Sequence, residues 1–186
     1  MTNYNLPTKE AAQKLLQEHV QDEYQKLHAL MVATAMEGYG EKFGEDSHLW
    51  FMAGYLHDLD FYNHPHEHPG ESLKWFKEWG YPEELIHAVE AHAYGYNGYP
   101  TEPQTKIAAA LIACDEICGI FYAYRKMNTI PFKDIKASSI LKKLKDKGFA
   151  PNIKREDVEY GCEKLGVTLE EHVQNLIEFL SVLDNS

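Results

Sequence analysis

A histidine–aspartate pair, His57-Asp58, ends the apolar run Trp50-Phe51-Met52-Ala53-Gly54-Tyr55-Leu56. Trp50, Ala53, Gly54 and His57 recur at i, i+3, i+4 and i+7, so the histidine takes the next place in a buried helical stripe. Burying an imidazole next to a carboxylate is costly unless each group finds a partner. A chain carrying this pair must therefore fold so that other polar groups, or a cation, converge on it.

Three further helices supply such groups. Tyr24, Leu27, Met31 and Ala35 form an otherwise apolar face that carries His28. Leu85, Ala88 and Val89 do the same for His92. Asp115 sits in the middle of the most apolar helix, on one stripe with Ala108, Leu111, Ile112, Gly119 and Tyr122. A single core histidine is usually hydrogen-bonded structure, and a single core aspartate can be a helix–helix ion pair. Polar interruptions in four separate helices point instead to one shared metal site built from His28, His57, Asp58, His92 and Asp115.

The hydrophobic periodicity is helical throughout, with no period-2 alternation, and predicts an all-α fold. The helices are expected at about 9–19, 22–43, 47–57, 69–79, 82–92 and 105–125, with three more after Pro131, Gly148–Pro151 and Gly166. Gly38 and Gly40 are expected to break the second. The organisation reads as one domain over residues 1–186, with a core at about 20–127 and a small C-terminal helical extension at about 129–186. No apolar run approaches the ~20 residues of a membrane helix, so no membrane partner is expected. The stretch Met1–Pro7 has neither the basic cluster nor the apolar run of a signal peptide. The three cysteines, Cys114, Cys118 and Cys162, suit buried free thiols in a reducing cytoplasm. A net charge of −11 argues against a nucleic-acid polymer as partner but leaves room for a small anionic substrate at a local cluster of cations.

The ordered set His28 … His57-Asp58 … Asp115 resembles the HD-domain superfamily of metal-dependent phosphohydrolases, over about residues 20–127. Leu56–Asp60, His68-Pro69-Gly70, Ala113–Gly119 and Lys143–Ala150 are similar to a group of bacterial HD proteins known only as predicted hydrolases. The resemblance implies an all-α HD-domain helical bundle in which His28, His57, Asp58 and Asp115 hold a divalent ion. In binuclear branches two further histidines lie between the pair and the last aspartate. His68 and His92 stand in those places, and Asp58 would then bridge two ions. Mixed His and carboxylate ligands suit Fe, Mn, Zn, Co or Ni better than Ca. His64 and His66 share the loop with His68, so the sequence leaves open which of the three faces inward.

The chain lacks the His-Asp-Ile-Gly-Lys sequence of the HD-GYP cyclic-dinucleotide phosphodiesterases, reading His57-Asp58-Leu59-Asp60-Phe61 instead. It also lacks the Glu-Asp pair of the (p)ppGpp hydrolases, having Phe61 and Tyr62 there. Asp60 is expected either as a catalytic general base or as the acceptor that orients a ligating imidazole. The basic run Lys142, Lys143, Lys145, Lys147, Lys154, Arg155 is the one cationic concentration, with Lys145 and Arg155 expected at a substrate phosphate. His19, His48 and His172 are expected at the surface. The expected function is a metal-dependent phosphohydrolase acting on a small phosphorylated molecule, a nucleotide or related phosphoester. The alternatives are a binuclear-iron HD-type oxygenase and a non-catalytic sensor that binds a nucleotide or metal.

Overall fold

The computed structural model describes residues 5–185; the first four residues of the stretch read for a targeting signal lie outside them. Among the described residues the regular structure is helical throughout: α1 (Lys9–His19), α2 (Glu23–Phe43), α3 (Ser47–Leu56), α4 (Gly70–Glu78), α5 (Glu83–His92), α6 (Lys106–Asn128), α7 (Ala137–Lys145), α8 (Arg155–Leu165) and α9 (Leu169–Leu180). Short 3₁₀ turns lie at Phe132–Asp134 and Ser181–Asn185. Side-chain caps set several of the starts. Thr8, Asp22, Asp46 and Thr105 each accept a hydrogen bond from a first-turn amide, and Thr168 with Glu171 forms a reciprocal capping box.

The central helix is α6, flanked by α2, α5 and α8. It is long and apolar enough, by length and composition, to cross a membrane, against the expectation that no apolar run reaches that size. Here most of that stretch is buried inside the bundle. Helix α2 runs unbroken through Gly38 and Gly40, which was also not expected. Both glycines are there for space. A Cβ on Gly38 would stand 2.3 Å from the Phe179 ring of α9, and one on Gly40 would stand 2.9 Å from the backbone of Ser47. Tertiary packing holds the helix through residues whose intrinsic propensity opposes it.

Two close helix crossings place the polar residues. Gly54 of α3 lies on the backbone of Ala33 in α2, where a Cβ would be 2.8 Å from the Ala33 Cα. That contact brings His28 and His57 side by side, their rings 5.4 Å apart. Gly161 of α8 lies on Ala113 of α6, where a Cβ would be 2.4 Å from the Ala113 nitrogen. The same packing carries the start of α8 over the face of α6 that holds Asp115.

Candidate metal centre

Helices α2, α5 and α6 and the turns after α3 deliver six donors to one place. Around the carboxylate of Asp115, His28 Nε2 lies 2.9 Å from Oδ1 and His57 Nε2 lies 3.4 Å from the same oxygen. Around Asp58 the donors divide. His57 Nε2 is 3.3 Å from Oδ2, whereas His68 Nε2 and His92 Nε2 are 3.4 and 3.6 Å from Oδ1. Asp58 thus offers one oxygen to the group His28–His57–Asp115 and the other to His68–His92. Within each triad that includes Asp58, the donor atoms lie close enough to share one ion.

The far sides of the imidazoles are fixed by hydrogen bonds. His57 Nδ1–H donates to the Gly54 carbonyl at 2.7 Å, and His92 Nδ1–H donates to the Val89 carbonyl. His68 Nδ1–H donates to Asp60 Oδ1 at 2.6 Å. With Nδ1 carrying the proton, each Nε2 keeps its lone pair turned toward the carboxylates, the tautomer a metal ligand needs. His57 is fully buried, and its Nε2 makes no hydrogen bond of acceptable geometry. An orphaned acceptor among converging carboxylates is what a cation would satisfy, and the donor set of imidazole nitrogens and carboxylate oxygens fits a divalent transition ion.

The ionisation behaviour reflects the same crowding. Burial disfavours the imidazolium of His57, but the charges of Asp58 and Asp115 outweigh it and hold its pKa well above the ordinary value. Burial likewise opposes the charged forms of Asp58 and Asp115, yet His57 and the other neighbouring histidines hold both well below the usual carboxylate range. Without a cation the cluster therefore favours a protonated His57 between two carboxylates. Beside it Glu116 is pushed up to about 8, by burial first and then by the charge of Asp115.

Asp60 is not exposed to the cavity. It is fully buried, and its Oδ2 accepts the amides of Glu71 and Ser72 at 3.1 and 3.0 Å, so it caps α4 from the preceding turn while Oδ1 holds His68. The expectation of a catalytic general base gives way to its alternative, a positioning residue. Asp60 also selects His68 among the three loop histidines, because only His68 has an inward carboxylate acceptor; His66 is exposed and His64 half-buried.

All the donors but the fully buried His57 floor a cavity of about 310 Å³, walled by Tyr24, Gln25, Phe61, Tyr96, Ile112 and Ile153, with Glu116, Lys154 and Asp157 at its side. Two expected substrate contacts do not line it. Lys145 is exposed at the end of α7. Arg155 is turned away, its guanidinium donating to the carbonyls of Leu144, Asp146, Phe149 and Ile153, so it has no fork left for a phosphate. Lys154, in the same basic run, does line the cavity. Nothing in the spacing of that run distinguishes Lys154 from its neighbours, and Glu116 and Asp157 carry no sequence signal beyond proximity to Asp115 and to Lys154.

His172, expected at the surface, is fully buried: its Nδ1 accepts from the Tyr39 hydroxyl at 2.6 Å and its Nε2–H donates to the Ala113 carbonyl at 2.8 Å. The three cysteines are buried free thiols.

A protein-family model described as the HD domain matches residues 27–120, just over half of the 186-residue chain. The match begins one residue before His28 and ends five residues after Asp115. No curated protein and no solved structure matches the chain.

Proposed function

The chain belongs to the HD-domain family, a superfamily of metal-dependent hydrolases, and from that premise we propose that it hydrolyses a small phosphorylated molecule with two divalent ions held across Asp58. The observation that carries this reading is the division of Asp58, with Oδ2 toward His57 and Oδ1 toward His68 and His92. His28, His57 and Asp115 would complete one ion's protein ligands, and His68 and His92 those of the other. Fe, Mn, Zn, Co and Ni suit this donor set. Divalent ions there would supply Lewis acidity, lowering the pKa of a coordinated water toward neutrality and drawing charge from phosphoryl oxygens.

The chain's own residues prepare the chemistry. The carbonyls of Gly54 and Val89 and the carboxylate of Asp60 keep the Nδ1 proton of three imidazoles on the far side, so it is Nε2 of each that would meet an ion, with His57 first giving up the second proton it favours without a cation. Burial of His57 behind the carboxylates keeps water off its rear face. Phe61, Tyr96 and Ile153 give the organic part of a substrate an apolar wall. A net charge of −11 favours a small-molecule substrate over a nucleic-acid polymer, and buried free thiols at Cys114, Cys118 and Cys162 suit a reaction in the cytoplasm.

Metal analysis coupled to a panel of phosphomonoesters and phosphodiesters tests the reading. The expected result is about two bound transition ions per chain and a release of phosphate that stops on chelation and resumes on adding the metal back. A protein that holds its metal and hydrolyses no phosphoester would overturn it.

A further inference from the structure

The family match ends at residue 120, yet the cavity above the donors is closed by residues beyond it, Ile153, Lys154 and Asp157. Their position is fixed by the fold. A Cβ on Gly119 would stand 2.5 Å from Ile153 Cδ1, so the absence of one lets that segment settle onto α6. The backbone N–H of Lys154 donates to Glu116 Oε2 at 3.2 Å. Gly161 seats the helix that follows.

Lys154 is the one cationic side chain among the residues that line the cavity. Among the described residues no carboxylate lies within ion-pair distance of its ammonium, so within the cavity the charge is not neutralised by a direct salt bridge. Its Nζ stands 4.9 Å over the Tyr96 ring, and that ring lies 6.1 Å from the ring of His68. The charge is therefore presented on the His68–His92 side of the centre, on a flexible stem whose root is anchored. That is how a lysine serves as a point charge for phosphate.

The rest of the cavity limits what that phosphate can be attached to. Asp58, Asp115, Glu116 and Asp157 all line it, four carboxyl groups against one ammonium. A phosphate monoester carries roughly −1.5 to −2 at neutral pH, a charge that Lys154 and the metal centre can meet. A second or third phosphoryl group would find no further cation among the residues that line the cavity, only the carboxyl groups of Glu116 and Asp157, which accept nothing from a phosphate that brings no proton. At about 310 Å³ the space is also at the small end of ligand cavities. We infer that Lys154 is the substrate-phosphate ligand and that the site selects a compound with a single phosphate group on a neutral organic part, rejecting polyphosphates. The inference rests on the phosphohydrolase reading above and adds to it the substrate class.

The test uses the full-length, metal-loaded protein. Inorganic phosphate is titrated calorimetrically into the wild type, Lys154→Met and Lys154→Arg, with metal content measured in each. Lys154→Met should bind phosphate at least tenfold more weakly at unchanged metal content, and Lys154→Arg should recover part of the loss. In a matched nucleoside mono-, di- and triphosphate series, kcat/KM should be highest for the monophosphate by tenfold or more, and Lys154→Met should act mainly by raising KM. Equal phosphate affinity in wild type and Lys154→Met overturns the role of Lys154, as does a wild type that binds no phosphate. Equal turnover of mono- and triphosphates overturns the charge selection. A wild type that binds phosphate through Lys154 but hydrolyses nothing removes the hydrolase reading while leaving Lys154 as an anion ligand.

Discussion

His57 and His172 are both fully buried in the same bundle, and they are opposites. The ring of His172 is satisfied at both nitrogens, by the Tyr39 hydroxyl and the Ala113 carbonyl, and the network closes outward through Asn175 to Lys42. Burial dominates its ionisation and pushes its pKa down to about 4, so it is a neutral structural group. The ring of His57 is satisfied at Nδ1 alone, while its Nε2 faces two carboxylates without a hydrogen bond. There the carboxylates win over burial, and the pKa moves up. A buried histidine is structure when its partners close around it, and part of a site when open donors converge on the same point.

The sharpest way to break this contrast is to remove the residue shared by both donor groups. Asp58→Ala should lose bound metal at both groups and cut activity by more than about 100-fold, since even residues one step removed from a metal typically cost 10–100-fold. Metal content would be read by mass spectrometry of the purified protein, and a variant that keeps the wild-type complement would dissolve the proposed bridge. The closed network should answer differently. His172→Phe removes the acceptor of the Tyr39 O–H and the side-chain donor to the Ala113 carbonyl and should lower stability by about 2–3 kcal/mol, measured by urea unfolding of the chelated protein. Its metal content should match the wild type; a loss of metal would mean that the two regions are not separate.

A smaller effect belongs to Asp60, which joins both kinds of environment. Asp60→Asn keeps an oxygen for the Glu71 and Ser72 amides but no longer offers His68 a charged acceptor. Metal affinity should fall 10–100-fold at the His68–His92 group and stay near wild type at the other, a split that a two-site titration resolves. A uniform loss at both groups would show that Asp60 acts through the fold.

The same stripe test explains what was legible and what was not. His28, His57, His92 and Asp115 stand out because each interrupts an apolar series at helical spacing, and the cluster that the spacing implies is present. The test applies equally to α9, where Leu169, His172 and Leu176 fall at i, i+3 and i+7; His172 was readable as buried and was missed. His68 lies in a turn, where no periodicity says which way a side chain faces, and only the carboxylate of Asp60 decides it. Helix α2 continues through its glycines because Phe179 and the backbone of Ser47 need the space, contacts with no local signal. For the basic run the limit is geometric. Composition marks the cations, but only the backbone path of the segment after α7 determines that Arg155 is spent on carbonyls while Lys154 reaches the cavity.

The two histidines should also give opposite dependences on pH. His172 titrates near 4 in the folded protein against an ordinary value of 6.5. Between those values the unfolded chain holds a proton that the folded one does not, so stability is lost as pH falls, at about 1.4 kcal/mol per pH unit and about 3 kcal/mol across the window. The raised pKa of His57 in the metal-free protein works the other way: its stabilisation is present below about 6.5 and is lost as pH rises through the folded value. Its partners Asp58 and Asp115, depressed in the fold, contribute above their ordinary range near 4 and lose that contribution only as pH falls below it. Between pH 6.5 and 4.5 the acid sensitivity of the chelated protein should therefore come from His172 together with His92, whose pKa burial also lowers. Urea midpoints of wild type and His172→Phe, compared across that range, should converge as the pH drops. Parallel curves would show that the buried ring of His172 is not the group that takes up the proton.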